Sequence, residues 1–381
     1  MFILMIQKLQ ENWKGRIVTP GVFFIVLIGT LLRFLKLDNQ SIWLDEAYTW
    51  EFAVKYSNFS DMMTGFIQND FLPPFHTVLM DYWIQLFGDS ELSMRLPSAL
   101  IGVLTLLIVI YIIKNSGDNH ASFKYTFFAL SPFLIWYSQD ARPYAFFLFF
   151  SIVSYHYFDL YLKQGEQKQL YIMGVFDVLM IYTHYAGLIL IGAKSLYFLF
   201  FSEKSSRNNI WPWITVHFAI LLFFLPWLPI FIEDLLHDTT GLTRHFSIMF
   251  VPYYVFAFIS GFSFGPGVHE LHINRSVEYL LSNYFPEMLA ITVLCTICVI
   301  NLFRHRKQLS HLKMPLLITF FSAVVLIGYA AATHFPLNVR YMVFLFFPFS
   351  IIFIDTLLAT KRLRIFSIVV LITVLLVANY N

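Results

Sequence analysis

The stretch Ser41-Ile42-Trp43-Leu44-Asp45-Glu46-Ala47-Tyr48-Thr49-Trp50 places two adjacent carboxylates among aromatic side chains, directly after the first long apolar run of the chain. The sequence of 381 residues is 58% hydrophobic and only 13% charged, with 44 Phe. A soluble globular protein carries roughly 25% charged residues. The composition therefore indicates an integral membrane protein, and the acidic doublet interrupts an otherwise apolar sequence. The net charge of +2 gives no reason to expect a nucleic-acid partner.

Apolar runs long enough to cross a bilayer recur along the chain and predict about eleven transmembrane helices. They cover residues 17–35, 97–113, 125–138, 143–162, 170–183, 186–201, 211–232, 285–303, 314–333, 339–358 and 363–379. No small-residue cleavage pattern follows the first run, which is therefore expected to stay as a signal anchor. We predict a single all-α polytopic domain over residues 1–381, without a soluble C-terminal domain.

The distribution of Lys and Arg predicts the orientation, because cytoplasmic loops are enriched in these residues. With a cytoplasmic N-terminus, every inside segment is basic. These segments carry Lys8, Lys14 and Arg16; Lys114 and Lys124; Lys163 and Lys168; Lys204 and Arg207; Arg304, Arg306, Lys307 and Lys313; and Lys361, Arg362 and Arg364. The same orientation makes 36–96 and 233–284 two large outer loops. Within them, 73–87 is expected to be an amphipathic interfacial helix and 250–264 an interfacial or re-entrant element.

Two charges fall inside neighbouring predicted spans. Asp177 and Lys194 lie at matching depth on spans of opposite direction, and an unpaired charge there costs roughly 2.5–3.5 kcal/mol on insertion scales. We therefore predict that they form an ion pair. The only two cysteines, Cys295 and Cys298, lie in an apolar run without flanking histidines, so we expect core packing rather than a zinc or redox site.

Acids, arginines and histidines collect on the predicted outer face. They occur in the segments 45–46, 73–76, 95–99, 138–144, 183–185 and 338–341. Convergence of carboxylates and arginines at one membrane surface is what a phosphate-bearing substrate needs, since a base and phosphate-binding cations then lie together.

The motifs in these segments resemble the polyprenyl-phosphate-sugar-dependent glycosyltransferases of the GT-C fold. The likeness is to the bacterial, family-39-like branch that includes protein O-mannosyltransferases and lipid A aminoarabinose transferases. It rests on LDEAYTW at 44–50, PPFH at 73–76, FGDSELSMRLPSAL at 87–100, SQDARPYAFF at 138–147, YTHYAG at 182–187 and NVRYMVFLFFP at 338–348. The resemblance implies a multi-pass plasma (inner) membrane enzyme with its active site on the outer face. It also implies a polyprenyl-phosphate sugar donor and a lipid, glycan or protein acceptor.

The resemblance maps the catalytic acid of the first loop onto Asp45 and an acid of the second loop onto Asp140. We group Glu46 with Asp45 as catalytic, in a supporting position. Four residues are candidates for the donor phosphate: Arg340, Tyr341, Arg95 and His184. Five are candidates for other substrate contacts: Asp140, Arg142, Tyr144, His76 and Tyr185.

Simpler interpretations stay open at this stage. The acids could only begin an interfacial helix, and Arg95 and Arg340 could be headgroup anchors. Asp140 and Arg142 could be a structural loop pair. A secondary transporter or lipid flippase is the main alternative function, although no repeated broken helices are visible; a non-catalytic membrane subunit is another. A divalent cation is also open, but the acids and histidines match no local metal motif, so no metal site is assigned. The sequence identifies neither the sugar nor the acceptor.

Overall fold

The computed structural model describes residues 19–55, 73–118, 120–203, 210–236, 251–267, 270, 276–333, 335 and 337–380. Within these ranges the chain forms helices: α1 Pro20–Phe34, α2 Leu44–Lys55, α3 Phe75–Phe87, α4 Glu91–Asn115, α5 Ala121–Leu130, α6 Pro132–Ser138, α7 Tyr144–Gln164, α8 Gln167–Ile181, α9 Gly187–Phe201, α10 Trp211–Phe224, α11 Leu228–Leu236, α12 Val251–Ser260, α13 Val277–Arg304, α14 Lys313–Thr333, α15 Phe346–Leu358 and α16 Lys361–Tyr380. Short 3₁₀ segments occupy Leu225–Trp227, Ser310–Leu312 and Val339–Leu345. The predicted all-α polytopic fold is confirmed.

Seven of the described helical stretches are long and apolar enough to cross a membrane. They cover Glu91–Asn115, Tyr144–Gln164, Trp211–Glu233, Glu278–Arg304, Ser310–Thr333, Val339–Leu358 and Lys361–Tyr380. Three shorter apolar helices are α1, α9 and α12. Of the regions used to predict the orientation, the N-terminal basic residues and much of both outer loops lie outside the described residues.

The predicted span 125–138 is not one helix. Helix α5 ends at Leu130, and α6 begins at Pro132 with Ser131 as its N-cap, whose Oγ accepts from Leu134 N at 3.4 Å. A proline here removes a backbone donor and clashes with the preceding turn, so the helix breaks. The carbonyl of Leu130 is bound by the Asn379 side chain at 2.8 Å. The break turns the chain toward residues 139–143, which form part of the site.

Helix α3 occupies most of residues 73–87, where the sequence predicts an amphipathic interfacial helix. His76, Thr77 and Met80 are buried, whereas Leu86 and Phe87 on the same helix are exposed. Its first backbone N–H, at Phe75, donates to the carbonyl of Tyr182 at 3.0 Å. This bond fixes the start of α3 beside the turn between α8 and α9.

The predicted ion pair between Asp177 and Lys194 is confirmed. Lys194 Nζ lies 2.6 and 2.8 Å from the two carboxylate oxygens, and 2.5 Å from Ser154 Oγ. Both charged side chains are fully buried between α8 and α9. Three charge-assisted bonds compensate the desolvation of the ammonium group, so the pair is stable in the apolar interior.

Lys124, one of the basic residues that the sequence assigns to a cytoplasmic segment, lies on α5 with a buried side chain. Its side chain is only 1% exposed and forms ion pairs with Asp118 and Asp355. Asp355 also accepts from His311 at 3.0 Å. Two carboxylates offset the burial of one ammonium, which a reading of loop composition alone does not reveal.

Candidate active site

Glu46 and Arg95 form a buried bidentate pair at the base of the site. Arg95 Nε and Nη2 donate to the two carboxylate oxygens at 2.8 and 2.6 Å. Arg95 also donates to the carbonyls of Leu37, Gln40 and Ser41. The five N–H groups of the guanidinium are therefore all used.

The Glu46 carboxylate likewise accepts hydrogen bonds from several donors. Besides Arg95, its carboxylate accepts from the backbone N–H groups of Ala141, at 2.9 Å, and Trp43, at 3.4 Å, and the residue is 1% exposed. Glu46, expected to support catalysis, is thus shielded from solvent in this structure, and Arg95, expected at the donor phosphate, has no unpaired N–H. Together they fasten the start of α2 to α4 and to the 139–143 loop.

Asp45, the neighbouring acid, points to a different partner. Its Oδ2 is paired with Arg340 Nη1, from the 3₁₀ segment at the start of the penultimate apolar stretch. The Asp45 and Arg340 side chains are 20% and 27% exposed, so the pair is accessible. Arg142 donates to the Asp45 backbone carbonyl at 2.8 Å and to Thr49 Oγ1 at 3.0 Å, which holds α2 from the other side.

Asp140 lies behind this pair, where Trp43 Nε1 donates to its Oδ1 at 3.2 Å. Burial, with a further contribution from the nearby Glu46 carboxylate and against the opposing charge of Arg142, raises the pKa of the Asp140 carboxyl to about 7. The carboxyl therefore changes its protonation state near neutral pH. Arg142 forms no side-chain bond to Asp140, so the structural loop pair considered from the sequence is not formed.

Two histidines complete the polar cluster. Burial, together with the charge of Arg142, lowers the pKa of His76 to about 3. Burial and the charges of Arg340 and Arg142 lower the pKa of His184 to about 3 as well. Both imidazoles are therefore neutral at physiological pH. His184 Nδ1 accepts from the Ala186 backbone N–H at 3.1 Å, so the ring proton is assigned to Nε2.

Several buried nitrogens of this cluster have no hydrogen-bond partner among the described residues. They are Arg142 Nε, Arg340 Nε, His184 Nε2 and His76 Nε2. The first two are N–H donors by chemistry and the third by its assigned tautomer. Buried donors are normally paired. Unpaired donors beside an arginine-bound carboxylate are suited to an anionic or oxygen-rich ligand.

Aromatic rings enclose the same space. His184 stacks on Phe147 with ring centroids 4.9 Å apart, and the rings of Tyr144 and Tyr341 lie 6.1 and 5.6 Å from it. Arg340 lies over the Tyr341 ring at 5.6 Å. Tyr144 and Tyr341 thus join the cluster as expected from the sequence.

Tyr185 is oriented toward other elements. Its hydroxyl accepts from Trp227 Nε1 at 2.9 Å, and its ring lies 4.9 Å from that of Phe231. Sequence reasoning had grouped it with the substrate contacts, because it directly follows His184. It had missed Trp43 and Thr49 as residues that orient Asp140 and Arg142, although both stand in the stretch that carries the acidic doublet.

A metal site does not emerge from the described part of the chain. There, no three His, Cys, Asp or Glu side chains come together with the geometry to hold an ion. Cys295 and Cys298 are free thiols on α13.

The fold and this cluster define a polytopic helical membrane protein with a carboxylate–arginine site at one end of its bundle. Residues 72–230 match a family model described as dolichyl-phosphate-mannose-protein mannosyltransferase, over somewhat less than half of the chain. No curated protein matches the sequence.

Three solved structures share the fold. Crystal structures of ArnT from Cupriavidus metallidurans, bound to undecaprenyl phosphate and in the apo state, superpose with TM-scores of 0.55 and 0.58 at 16% identity. They cover 91% of this chain and 61% and 60% of ArnT. The archaeal oligosaccharyltransferase AglB from Archaeoglobus fulgidus, in complex with an inhibitory peptide and a dolichol-phosphate, superposes with a TM-score of 0.54 at 13% identity, covering 93% of this chain and 51% of AglB.

The chain thus spans about three fifths of ArnT and half of AglB. The GT-C fold that the sequence motifs indicated is confirmed by these comparisons.

Proposed function

We propose that the protein is a membrane glycosyltransferase that moves a sugar from a polyprenyl-phosphate donor to a cell-envelope acceptor. The observation that carries this proposal is the position of Arg340. It holds the Asp45 carboxylate through Nη1, while its Nε lies beside the other unpaired donors of the cluster. One residue thereby links a carboxylate able to accept a proton to a group of donors able to bind a phosphate.

The donors fit a phosphate monoester or diester. Arginine guanidinium binds phosphate oxygens through two parallel N–H bonds. The Nε–H groups of Arg142 and Arg340 and the Nε2–H of His184 are unpaired. Both arginines contact Asp45 through Nη1, and both guanidinium charges act on His184. A neutral imidazole donates to a phosphate oxygen without adding a further charge.

The reaction follows from these placements. An oxygen of the acceptor attacks the anomeric carbon, and the bond from that carbon to the phosphate oxygen breaks. The phosphate leaves with the electron pair and is stabilised by Arg340 and Arg142. The proton of a hydroxyl acceptor goes to Asp45. In-line displacement inverts the anomeric configuration. For a phosphate acceptor, which is mostly ionised at neutral pH, Asp45 orients the nucleophile instead.

ArnT and AglB, which carry undecaprenyl phosphate and dolichol-phosphate in their structures, support a lipid-phosphate donor. The positive-inside pattern supports a cytoplasmic N-terminus and a site on the outer face of the plasma membrane. There the lipid tail stays in hydrocarbon while its headgroup reaches Asp45.

The test uses the full chain in proteoliposomes with a polyprenyl-phosphate sugar. Asp45→Asn keeps the size of the side chain and removes the base, so sugar transfer to a hydroxyl acceptor should fall at least 100-fold, within the usual contribution of general base catalysis, roughly 10²–10⁴-fold. Asp81→Asn, at an exposed carboxylate of α3 bonded to Gln85, is the matched control and should transfer normally. Full transfer by Asp45→Asn would refute the assignment. Movement of the lipid donor across the bilayer without transfer would favour a flippase.

A further inference from the structure

Arg33, near the end of α1, is a fully buried cation that the proposed reaction does not use. Its relative exposure is 0%. None of the ion pairs among the described residues includes it. A buried charge is normally neutralised by a partner of opposite sign, because desolvation of an isolated ion is costly.

Backbone carbonyls bind part of the guanidinium. Nη1 donates to Gly29 at 2.7 Å and to Ala129 at 3.3 Å, and Nη2 donates to Phe128 at 3.1 Å. Phe128 and Ala129 belong to the last turn of α5, just before the break at Ser131. Arg33 therefore caps the broken helix, but carbonyl oxygens carry only partial charge and leave its full charge unneutralised.

The remaining edge of the guanidinium is open. Nε of Arg33 has no hydrogen-bond partner among the described residues, and Nη2 retains a second N–H after its bond to Phe128. In Arg95 the same two nitrogens, Nε and Nη2, hold the carboxylate of Glu46. Arg33 thus retains the donor pair that binds an anion elsewhere in this protein.

A small cavity adjoins this side chain. Its volume is about 10 Å³, and its lining includes Arg33, Gly102 and Ser138. Such a volume holds about one water-sized occupant. Gly102 allows α4 to approach closely here, since a Cβ at this position would lie 2.1 Å from Ser138 Oγ. The cavity excludes anions as large as sulfate or phosphate.

We propose that this cavity is a binding site for a small monovalent anion, with chloride as the physiological occupant. The anion accepts from Nε and Nη2 of Arg33 and neutralises its charge. Ser138 lines the site and Asp140 follows two residues later. Chloride therefore stabilises the break between α5 and α6 and the loop that carries the carboxylates of the catalytic cluster.

The test is thermal unfolding of the full chain in detergent, in sodium chloride or bromide against sodium gluconate at equal ionic strength. Gluconate is too large for the cavity. An anion at several times its dissociation constant should raise the Tm by about 1–2 °C. Arg33→Met should abolish this difference. Lys163→Met removes an exposed cation, with 64% side-chain exposure, and should retain it. An equal Tm in chloride and gluconate, or a chloride effect that survives Arg33→Met, would overturn the proposal.

A second measurement does not depend on the variant folding. Anomalous diffraction from bromide-grown crystals of the unmodified chain should give a peak within hydrogen-bonding distance of Arg33 Nε. An ordered water at that position, with no bromide signal, would identify the site as a hydration site and contradict the proposal.

Discussion

Asp45 and Arg340 form an ion pair across 295 positions of the sequence. Asp45 lies in the first turn of α2, and Arg340 lies in the 3₁₀ segment Val339–Leu345 that precedes α15. The contact joins the first and last thirds of the chain at one point. In the proposed function the unpaired Nε of Arg340 binds the donor phosphate while Nη1 stays on Asp45, so this pair places the phosphate beside the carboxylate.

Arg340→Met should therefore weaken binding of undecaprenyl phosphate. A hydrogen bond to a charged group contributes about 1.5–3 kcal/mol. Loss of one such bond corresponds to roughly a 10- to 100-fold rise in Kd, since 1.4 kcal/mol is tenfold. Binding of the lipid to purified protein measures this directly. Arg362→Met, at an exposed arginine of α16, serves as the control and should bind normally. Equal affinity for both variants would remove Arg340 from the phosphate site.

The raised pKa of Asp140 predicts that the stability of the folded protein depends on pH. Its folded-state pKa, about 7, lies above the ordinary carboxyl value of 3.8. Between these values the unfolded chain has released the proton and the folded chain retains it, so the contribution of this carboxyl falls as pH rises, by at most about 1.4 kcal/mol per pH unit. Above pH about 7 the contribution stays constant.

The comparison with Asp140→Asn isolates this group, because other titrations are common to both proteins. The difference in unfolding free energy, wild type minus variant, should decrease from pH 5 to pH 7 and then level off. Chemical unfolding in detergent at several pH values provides the measurement. A difference that stays constant from pH 5 to pH 7 would mean that Asp140 is already ionised in the folded protein, contrary to the effect of burial.

The Glu46–Arg95 pair predicts a stability effect. Glu46→Gln leaves the Arg95 guanidinium buried without a counter-charge, which costs about 3–5 kcal/mol when one partner of a buried pair is removed. Lys163→Met breaks an exposed pair with Asp159 and should change stability by about 0.5 kcal/mol or less. Unfolding monitored by Trp fluorescence distinguishes the two. A small effect of Glu46→Gln would show that the Glu46–Arg95 pair does not stabilise the fold.

The sequence locates the clustered residues only by local pattern. Asp45, Asp140, His184 and Arg340 each follow or precede an apolar run, and the structure brings these four residues into one cluster. The sequence does not predict the distances between these side chains. Which of the arginines pairs with which acid depends on how the helices pack, and Arg95 and Arg340 have the same local pattern in the sequence although one is saturated and the other is not.

The burial of individual charged side chains is what the sequence predicted least well. Asp177 and Lys194 could be paired from sequence because their depths in adjacent spans match. Arg33 and Lys124 lie near span ends, where long basic side chains usually reach the headgroups. Only the packing of α5 against α1 and α15 shows that they are enclosed. The only feature of the sequence that pointed to the burial of Arg33 is its position inside an apolar run, because charged residues in such runs usually face the protein interior.

The buried pair of Lys194 and Asp177 leads to a prediction about stability. Lys194→Met strands the Asp177 carboxylate in the interior and should cost about 3–5 kcal/mol, whereas Asp177→Leu combined with Lys194→Met should be neutral or stabilising by about 1–4 kcal/mol, because hydrophobic residues of similar size avoid the desolvation of both charges. Thermal unfolding of the single and double variants tests this. Sugar transfer by the double variant should match the wild type, since the pair lies between α8 and α9, apart from the Asp45 cluster. A folded, stable double variant without transfer would show that the pair takes part in function, and would contradict a purely structural role.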